Sequence, residues 1–351
     1  MTPIHQLRVY LRHSVVGDCD MGFIYICSMI TVSILALQNA VLASIADSRD
    51  VFAMVNEFLR QSGRPPAFKV QLVGDSKETV LNNGLFSIHP DVGLEEAKQS
   101  HLIIIPALAG DMKSATYLNK GYASWIADQY KNGMEIASLS SGAFLLAYSG
   151  LLRGKECTTH WWYANEFKLF YPSVKLVHEK MITDQNGLYS SGGSNAYWNL
   201  LLHLVEKYTN RELAIRAAKY FVIDLDRHMQ SPFIIFHGLK DHEDDAIKSI
   251  QERIEKNFRE KFTVDQLADE FHISRRTFER RFRKSTRNTV AEYIQRVKVE
   301  AAKKQLELGR KSIAEVMLDV GYSDMQAFRN VFKRLTGMTL VDYRNKYNRL
   351  S

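Results

Sequence analysis

Between residues 30 and 226, short apolar runs alternate with longer stretches in which apolar positions recur every three or four residues. The runs 30–37, 68–73, 101–108 and 135–140 are β-branched or continuously apolar and predict strands. The stretches 50–60, 122–132, 142–151, 195–208 and 212–225 have helical length and spacing. Strands such as Leu102-Ile103-Ile104-Ile105 lack polar alternation, so both faces must be covered. With a helix after each strand, the pattern predicts an α/β domain: a parallel sheet in a flavodoxin-like sandwich. From Ala246 onward there is no proline, and amphipathic runs separated by short turns predict an all-α domain.

A polar cluster, Lys240-Asp241-His242-Glu243-Asp244-Asp245, separates the two regions, and few contacts are expected to cross it. The organisation expected is an N-terminal extension over 1–28, an α/β domain over 29–230, a linker over 231–245 and a helical domain over 246–351. Met29 directly precedes the first strand, so residues 1–28 read as an upstream extension from a misplaced start. Finding Met1 or Thr2 by N-terminal sequencing of the native protein would reject that. Residues 21–46 carry no charge over 26 positions, enough to span a bilayer, where about 20 are needed. Ser28, Thr31, Ser33, Gln38, Asn39 and Ser44 interrupt the run, and Ile30 to Leu35 reads better as a buried strand. The expectation is a cytoplasmic protein with no membrane partner.

Charge adds an asymmetry. Residues 1–250 hold 23 Lys/Arg against 25 Asp/Glu, whereas 251–351 hold 23 against 14. The basic excess lies in the helical region, as expected of a module that meets a polyanion. Three cysteines, Cys19, Cys27 and Cys157, with no C-x-x-C pair, predict neither a disulfide scaffold nor a metal site, and no cofactor is expected.

The helical region contains a repeat. Val264, Leu267, Ala268, Phe271 and Ile273 recur 49 residues later as Ile313, Val316, Met317, Val320 and Tyr322. Ser274 maps to Ser323 and, after one inserted residue, Phe278 and Phe282 map to Phe328 and Phe332. Each copy reads as helix, tight turn, Ser cap and helix, with Thr263 and Ser312 capping the first helices and Ser274 and Ser323 the second. The result is two helix-turn-helix units, each with a second helix free to enter a major groove. With Phe278 and Phe282 inward, Arg276, Arg280, Arg283 and Lys284 face out, with Thr277 at the edge. In the second unit Gln326, Asn330 and Lys333 face out, flanked by Arg329. Guanidinium groups suit guanine O6/N7 and side-chain amides suit adenine N6/N7. A merely solvated face is the plainer alternative, which repeat, caps and basicity together disfavour. Residues 289–308 predict one joining helix of about 30 Å, near the ~34 Å between successive major grooves.

From about Ser249 onward the chain resembles the AraC/XylS family of transcription regulators. The resemblance is carried by Phe262-Thr263-Val264-Asp265-Gln266-Leu267-Ala268, by Ser274 to Phe282, and by Val320-Gly321-Tyr322-Ser323-Asp324 through Phe328-Arg329-Asn330-Val331-Phe332-Lys333. Met338 and Leu340 depart from the family's usual ending, which concerns a terminal helix cap. The resemblance implies promoter binding to double-stranded DNA, with a homodimer and RNA polymerase as expected partners.

Upstream, the strand ending at Leu139 runs into Ser140-Ser141-Gly142-Ala143, a strand, sharp turn and helix, with Thr158-Thr159-His160-Trp161 some twenty residues on. These segments make 30–210 similar to the DJ-1/PfpI branch of the class I glutamine amidotransferase-like fold, in the subfamily fused to an AraC-type module. The resemblance places the fold's reactive cysteine at Ser140, with His160 as its partner; the chain has a hydroxyl there. A serine needs a well-placed base, and Ser138-Leu139-Ser140-Ser141-Gly142 lacks the leading Gly of a G-x-S-x-G elbow. The domain is therefore expected to be non-enzymatic; the alternative is a hydrolase or glyoxalase-like activity using Ser140 or Cys157 with His160. Open α/β sheets bind ligands at the carboxyl ends of their strands, which makes Asn39, Gly110, Ser140, Ser141, His160, Gly192 and Gly193 candidate walls of a small-molecule effector pocket. A remnant that only dimerises is the rival reading.

Overall fold

The computed structural model describes residues 29–97, 100–225 and 228–348. The expected extension 1–28, with Cys19 and Cys27, lies outside the described residues.

In chain order the first domain runs β1 (Ile30–Leu35), α1 (Leu42–Gln61), β2 (Phe68–Gly74), β3 (Val92–Gly93), β4 (Leu102–Ile105), α2 (Met112–Leu118), α3 (Lys120–Lys131), β5 (Glu135–Ser138), α4 (Ala143–Tyr148), α5 (Ala164–Phe170), β6 (Ile182–Gln185), β7 (Leu188–Ser191), α6 (Ala196–Tyr208) and α7 (Arg211–Tyr220). The strands form one sheet ordered β6-β7-β5-β4-β1-β2-β3, parallel except for the β6–β7 pair. Val32 pairs with Leu102, and Ile104 with Ala137, so the continuously apolar runs are the central strands. Helices α1, α6 and α7 pack together, as do α2, α3 and α4, and the sheet lies between the two groups. Burial on both faces is the physical reason those strands carry no alternation.

Helix α1 starts at Leu42, eight residues before the predicted 50. Residues 38–49 look polar, but Ser44 Oγ donates to the Val41 carbonyl at 2.7 Å and Ser48 Oγ to that of Ser44 at 2.7 Å. Each hydroxyl is satisfied by a backbone carbonyl within the first turns, so both serines are fully buried. No helix among the described residues is long and apolar enough to cross a membrane.

The helical region runs α8 (Asp245–Lys256), α9 (Val264–Glu270), α10 (Arg275–Thr286), α11 (Val290–Leu308), α12 (Ile313–Asp319), α13 (Met325–Thr336) and α14 (Leu340–Tyr347). Two separate cores reproduce the repeat. One holds Leu267, Ala268, Phe278, Phe282, Val290 and Tyr293, and the other Val316, Met317, Phe328, Phe332, Leu340 and Tyr343. The equivalence extends beyond the predicted repeat: Tyr293 Oη bonds Glu255 at 2.5 Å and Tyr343 Oη bonds Glu307 at 2.7 Å. Helix α11 serves both cores, through Tyr293 near its start and Val299, Ala302 and Leu306 further on.

The first half of the expected linker 231–245 packs against the helical region. Lys303 Nζ donates to the Ile234 carbonyl at 2.5 Å, the Phe236 amide donates to Glu300 Oε2 at 3.1 Å, and Gly238 lies directly against the Tyr293 ring. Of the apolar Phe233, Ile234, Ile235 and Phe236 before the polar cluster, Ile234 and Phe236 are half-buried, and Phe236 packs against the first core.

Candidate functional site

Thr263 and Ser312 cap α9 and α12 in full capping boxes with Gln266 and Glu315. The second helices depart from expectation. Ser274 makes no cap bond and gives its hydroxyl to Thr277 Oγ1 at 3.0 Å. Asp324 rather than Ser323 caps α13, accepting from the Gln326 and Ala327 amides at 2.7 and 3.0 Å. A carboxylate one residue later offers a charge-assisted acceptor to the same amides and outcompetes the hydroxyl. The turns match in conformation: His272 has φ +53° where the second unit has Gly321 at φ +74°.

Phe278, Phe282, Phe328 and Phe332 are fully buried. Behind them Arg276, Arg280, Arg283, Lys284, Gln326, Arg329, Asn330 and Lys333 are exposed, and Thr277 is half-buried. The arginines of α10 are divided by their partners. Arg275 is held by Asp265 at 2.9 Å and Glu279 at 3.4 Å, and Arg281 makes a two-pronged pair with Asp244 at 2.6 and 2.9 Å. Arg276, Arg280, Arg283 and Lys284, like Arg329 and Lys333 in α13, pair with no described residue, so their full donor sets face solvent. Gln326 Nε2 donates to Asn330 Oδ1 at 3.0 Å, so the two amides hold one another in place along α13. The Arg275–Glu279 pair is readable from its i,i+4 spacing; nothing local signals Asp244.

At the end of β5 the chain makes the predicted elbow. Ser140 sits at φ +53°, a strained value for a residue with a Cβ, and is buried. Gly142 is required by the turn: a Cβ there would lie 2.5 Å from the Pro106 carbonyl oxygen and 2.8 Å from that of Ile105. Ser141 locks the β4 loop, its Oγ donating to the Leu108 carbonyl at 2.6 Å and accepting from the Leu108 amide at 2.9 Å. The Ser140 amide donates to Ser191 Oγ at 3.0 Å, and Thr159 Oγ1 donates to the Ser140 carbonyl at 3.0 Å. Asn39, at φ +58°, and Gly110, at φ +85°, lie exposed at the ends of β1 and β4, bridged by the Ala109 amide to the Asn39 carbonyl at 2.8 Å.

His160 Nδ1 accepts the Trp162 amide at 3.1 Å, and the ring packs against Trp161 and Tyr163. Burial lowers its pKa, which favours the neutral ring. With Nδ1 occupied as an acceptor, the proton of the neutral imidazole resides on Nε2, which can donate but cannot take a proton from a nucleophile. Among the described residues no carboxylate bonds His160. Cys157 is fully buried in the core, its thiol pushed up to about 12 by burial. That disfavours the thiolate, the form that reacts.

The sequence reading missed Gln230. It is buried at the mouth of the same strands: its Oε1 accepts the Gly193 amide at 2.9 Å, and its Nε2 donates to the Thr159 carbonyl at 3.0 Å and to Thr158 Oγ1 at 3.2 Å. A Cβ on Gly192 would fall 2.5 Å from that amide. His160 Nε2 lies 3.8 Å from where a Cβ on Gly193 would stand.

Residues 267–346 match the model of a helix-turn-helix domain, and residues 41–207 match the DJ-1/PfpI family. The chain is an AraC-type regulator with a DJ-1/PfpI domain. The regulator is 26% identical over 318 residues to the HTH-type transcriptional regulator GbdR of Pseudomonas aeruginosa, covering 90% of this chain and 84% of that one. It is 24% identical to CdhR of the same organism, covering 75% and 77% of the two chains. Its DNA-binding end is 42% identical over 95 residues to the bifunctional transcriptional activator and DNA repair enzyme AdaA of Bacillus subtilis, 27% of this chain and 45% of that one.

Proposed function

We propose that this regulator reads promoter DNA in the cytoplasm through Arg276, Thr277, Arg280, Arg283 and Lys284 of one unit and Gln326, Arg329, Asn330 and Lys333 of the other, as a homodimer that also meets RNA polymerase. Its N-terminal domain performs no catalysis and serves as a sensor for a small molecule at the elbow. The single observation that carries the sensor reading is the bond from the Trp162 amide to His160 Nδ1 beside a serine elbow. It leaves the preserved turn with a proton donor beside Gly193 and with no base. Such a group favours a ligand with an acceptor oxygen, bound between His160, Ser140, Ser141, Gly192 and Gly193, with Asn39 and Gly110 at the rim. A ligand with different affinities for two states of the protein shifts their balance, which is all that regulation requires.

Two measurements test this. Sequencing duplexes that the purified protein retains from a random pool should return one bipartite motif; retention without sequence preference would sink the DNA-reading assignment. A thermal-shift screen of small metabolites should yield at least one that raises the melting temperature of the native chain and fails to do so in His160→Ala. A purely dimerising domain gives no such compound, and turnover lost on Ser140→Ala would restore the enzyme reading.

A further inference from the structure

The segment 228–239 is in contact with both functional regions at once. At the elbow it adds a short antiparallel pairing: the Met181 amide donates to the His228 carbonyl at 3.0 Å and the Gln230 amide to that of Glu179 at 2.8 Å. The Gln230 carboxamide then ties Gly193, Thr158 and Thr159 together. Thr159 holds the Ser140 carbonyl, and Gly193 adjoins His160. Thus each candidate catalytic position of the elbow is one residue removed from this side chain.

The next residue already belongs to the DNA-reading region. Buried Ser231 stands against Gly337 at the end of α13. The Pro232 carbonyl accepts from Tyr347 Oη at 3.3 Å, and Lys346 Nζ lies 4.5 Å from the Phe233 ring centre. The segment then follows α11 backward along the helix, through Lys303 to Ile234, Glu300 to Phe236 and the Tyr293 ring, 5.3 Å from that of Phe236. It ends where the Leu239 carbonyl accepts from Gln251 Nε2 at 2.9 Å. Its contacts therefore include α13 and α14 of the second unit, Tyr293 of the first core and the helix that joins them.

We propose that 228–239 is the transmission strap of the regulator and that Gln230 is the positioning residue through which elbow and DNA-reading units sense one another. This rests on the reading of the chain as a DNA-binding regulator. A buried carboxamide with its oxygen and nitrogen both engaged has no slack: whatever moves Gly193 or Thr159 must move Gln230 or break its bonds. With no spacer between Gln230 and Ser231, that displacement is delivered to the end of α13 and along α11. Coupling of this kind is reciprocal, so DNA on the reading helices must be felt at the elbow. Reciprocity allows a test without knowing the effector.

Hydrogen exchange is measured on the full chain, free and bound to a duplex selected by the protein from a random pool. The duplex should protect α10 and α13 and also change the exchange rates of the Gly193 and Gln230 amides by about threefold or more. Gln230→Leu, which keeps the bulk and removes the bonds, should retain protection of the reading helices and lose the response at Gly193. Lys303→Met, which removes the Nζ bond from α11 to the Ile234 carbonyl and leaves Gln230 intact, should weaken the Gly193 response as well; a merely structural Gln230 would not produce that change, and this variant keeps the test open if Gln230→Leu fails to fold. Protected reading helices with unchanged exchange at Gly193 and Gln230 in the native chain would overturn the strap while leaving DNA binding in place. Absence of protection on α10 and α13 themselves would overturn the DNA-binding reading and the strap with it.

Discussion

Arg275 and Arg276 are neighbours in the chain, yet the first is tied to Asp265 and Glu279 while the second faces solvent with no side-chain partner among the described residues. An arginine with all five donors free can present two of them to one guanine edge; one held by carboxylates would first have to give them up. Arg276→Ala is therefore expected to lose about 1 to 3 kcal/mol of binding to the selected site and to relax preference at one base pair. Arg275→Ala should leave the preferred sequence unchanged. Lys333→Ala should weaken all duplexes alike and reduce the slope of log affinity against log salt by about one. Titrations of these three variants on the selected and on a scrambled duplex at several salt concentrations separate the roles; equal losses on both duplexes for Arg276→Ala would remove it from base reading.

At the scale of elements, the two helix-turn-helix units solve the same turn with different residues. His272 and Gly321 are equivalent and both adopt positive φ, but a Cβ on Gly321 would strike the Arg259 carbonyl oxygen and approach Lys298 Nζ. Gly321→Ala should cost about 2 to 4 kcal/mol, left-handed strain and steric overlap together. His272→Gly should stay within about 1 kcal/mol of the native chain, because relief of strain is offset by a more flexible unfolded state. Urea midpoints at unchanged slope measure both. A neutral Gly321→Ala would mean that the turn is free to rearrange. The same pair shows what was legible beforehand. Central strands, the caps Thr263 and Ser312 and the phenylalanine pairs follow local rules of period and spacing, and they lie where the sequence places them. Helix α1 was missed at its start because Ser44 and Ser48 spend their polarity on their own helix's carbonyls, which a pattern of polar letters cannot reveal. Gln230, Ser191 as partner of the Ser140 amide, and Asp244 as partner of Arg281 depend on pairings 37 to 72 residues apart, for which no periodicity exists.

For the molecule as a whole, two long-range arrangements make predictions. Where the α/β domain meets α11, His178 is buried with Nδ1 unpartnered and is pushed down to about 3 by burial and by the charges of Lys168 and Arg296; Glu179, with one oxygen 3.4 Å from Nε2, is too exposed to compensate. The unfolded chain thus binds this proton from about pH 6.5 downward while the folded chain refuses it, so stability rises with pH across roughly 3 to 6.5 and is undiminished above. Melting temperatures should fall more steeply below pH 6.5 in the native chain than in His178→Gln, this one group contributing at most about 1.4 kcal/mol per pH unit. Identical profiles would show that His178 is accessible to protons. The second arrangement is α11, whose 19 residues span about 28 Å and whose side chains belong to the cores of both units. Two modules on a flexible tether would tolerate a full extra turn of DNA between their contact blocks, since both blocks return to the same face. Units fixed to one helix cannot follow. Inserting about 5 or about 10 base pairs between the two blocks should therefore abolish the bipartite gain in affinity equally, leaving only the contribution of one unit. Recovery at about 10 base pairs, seen by footprinting or gel shift, would show that α11 bends or melts on DNA.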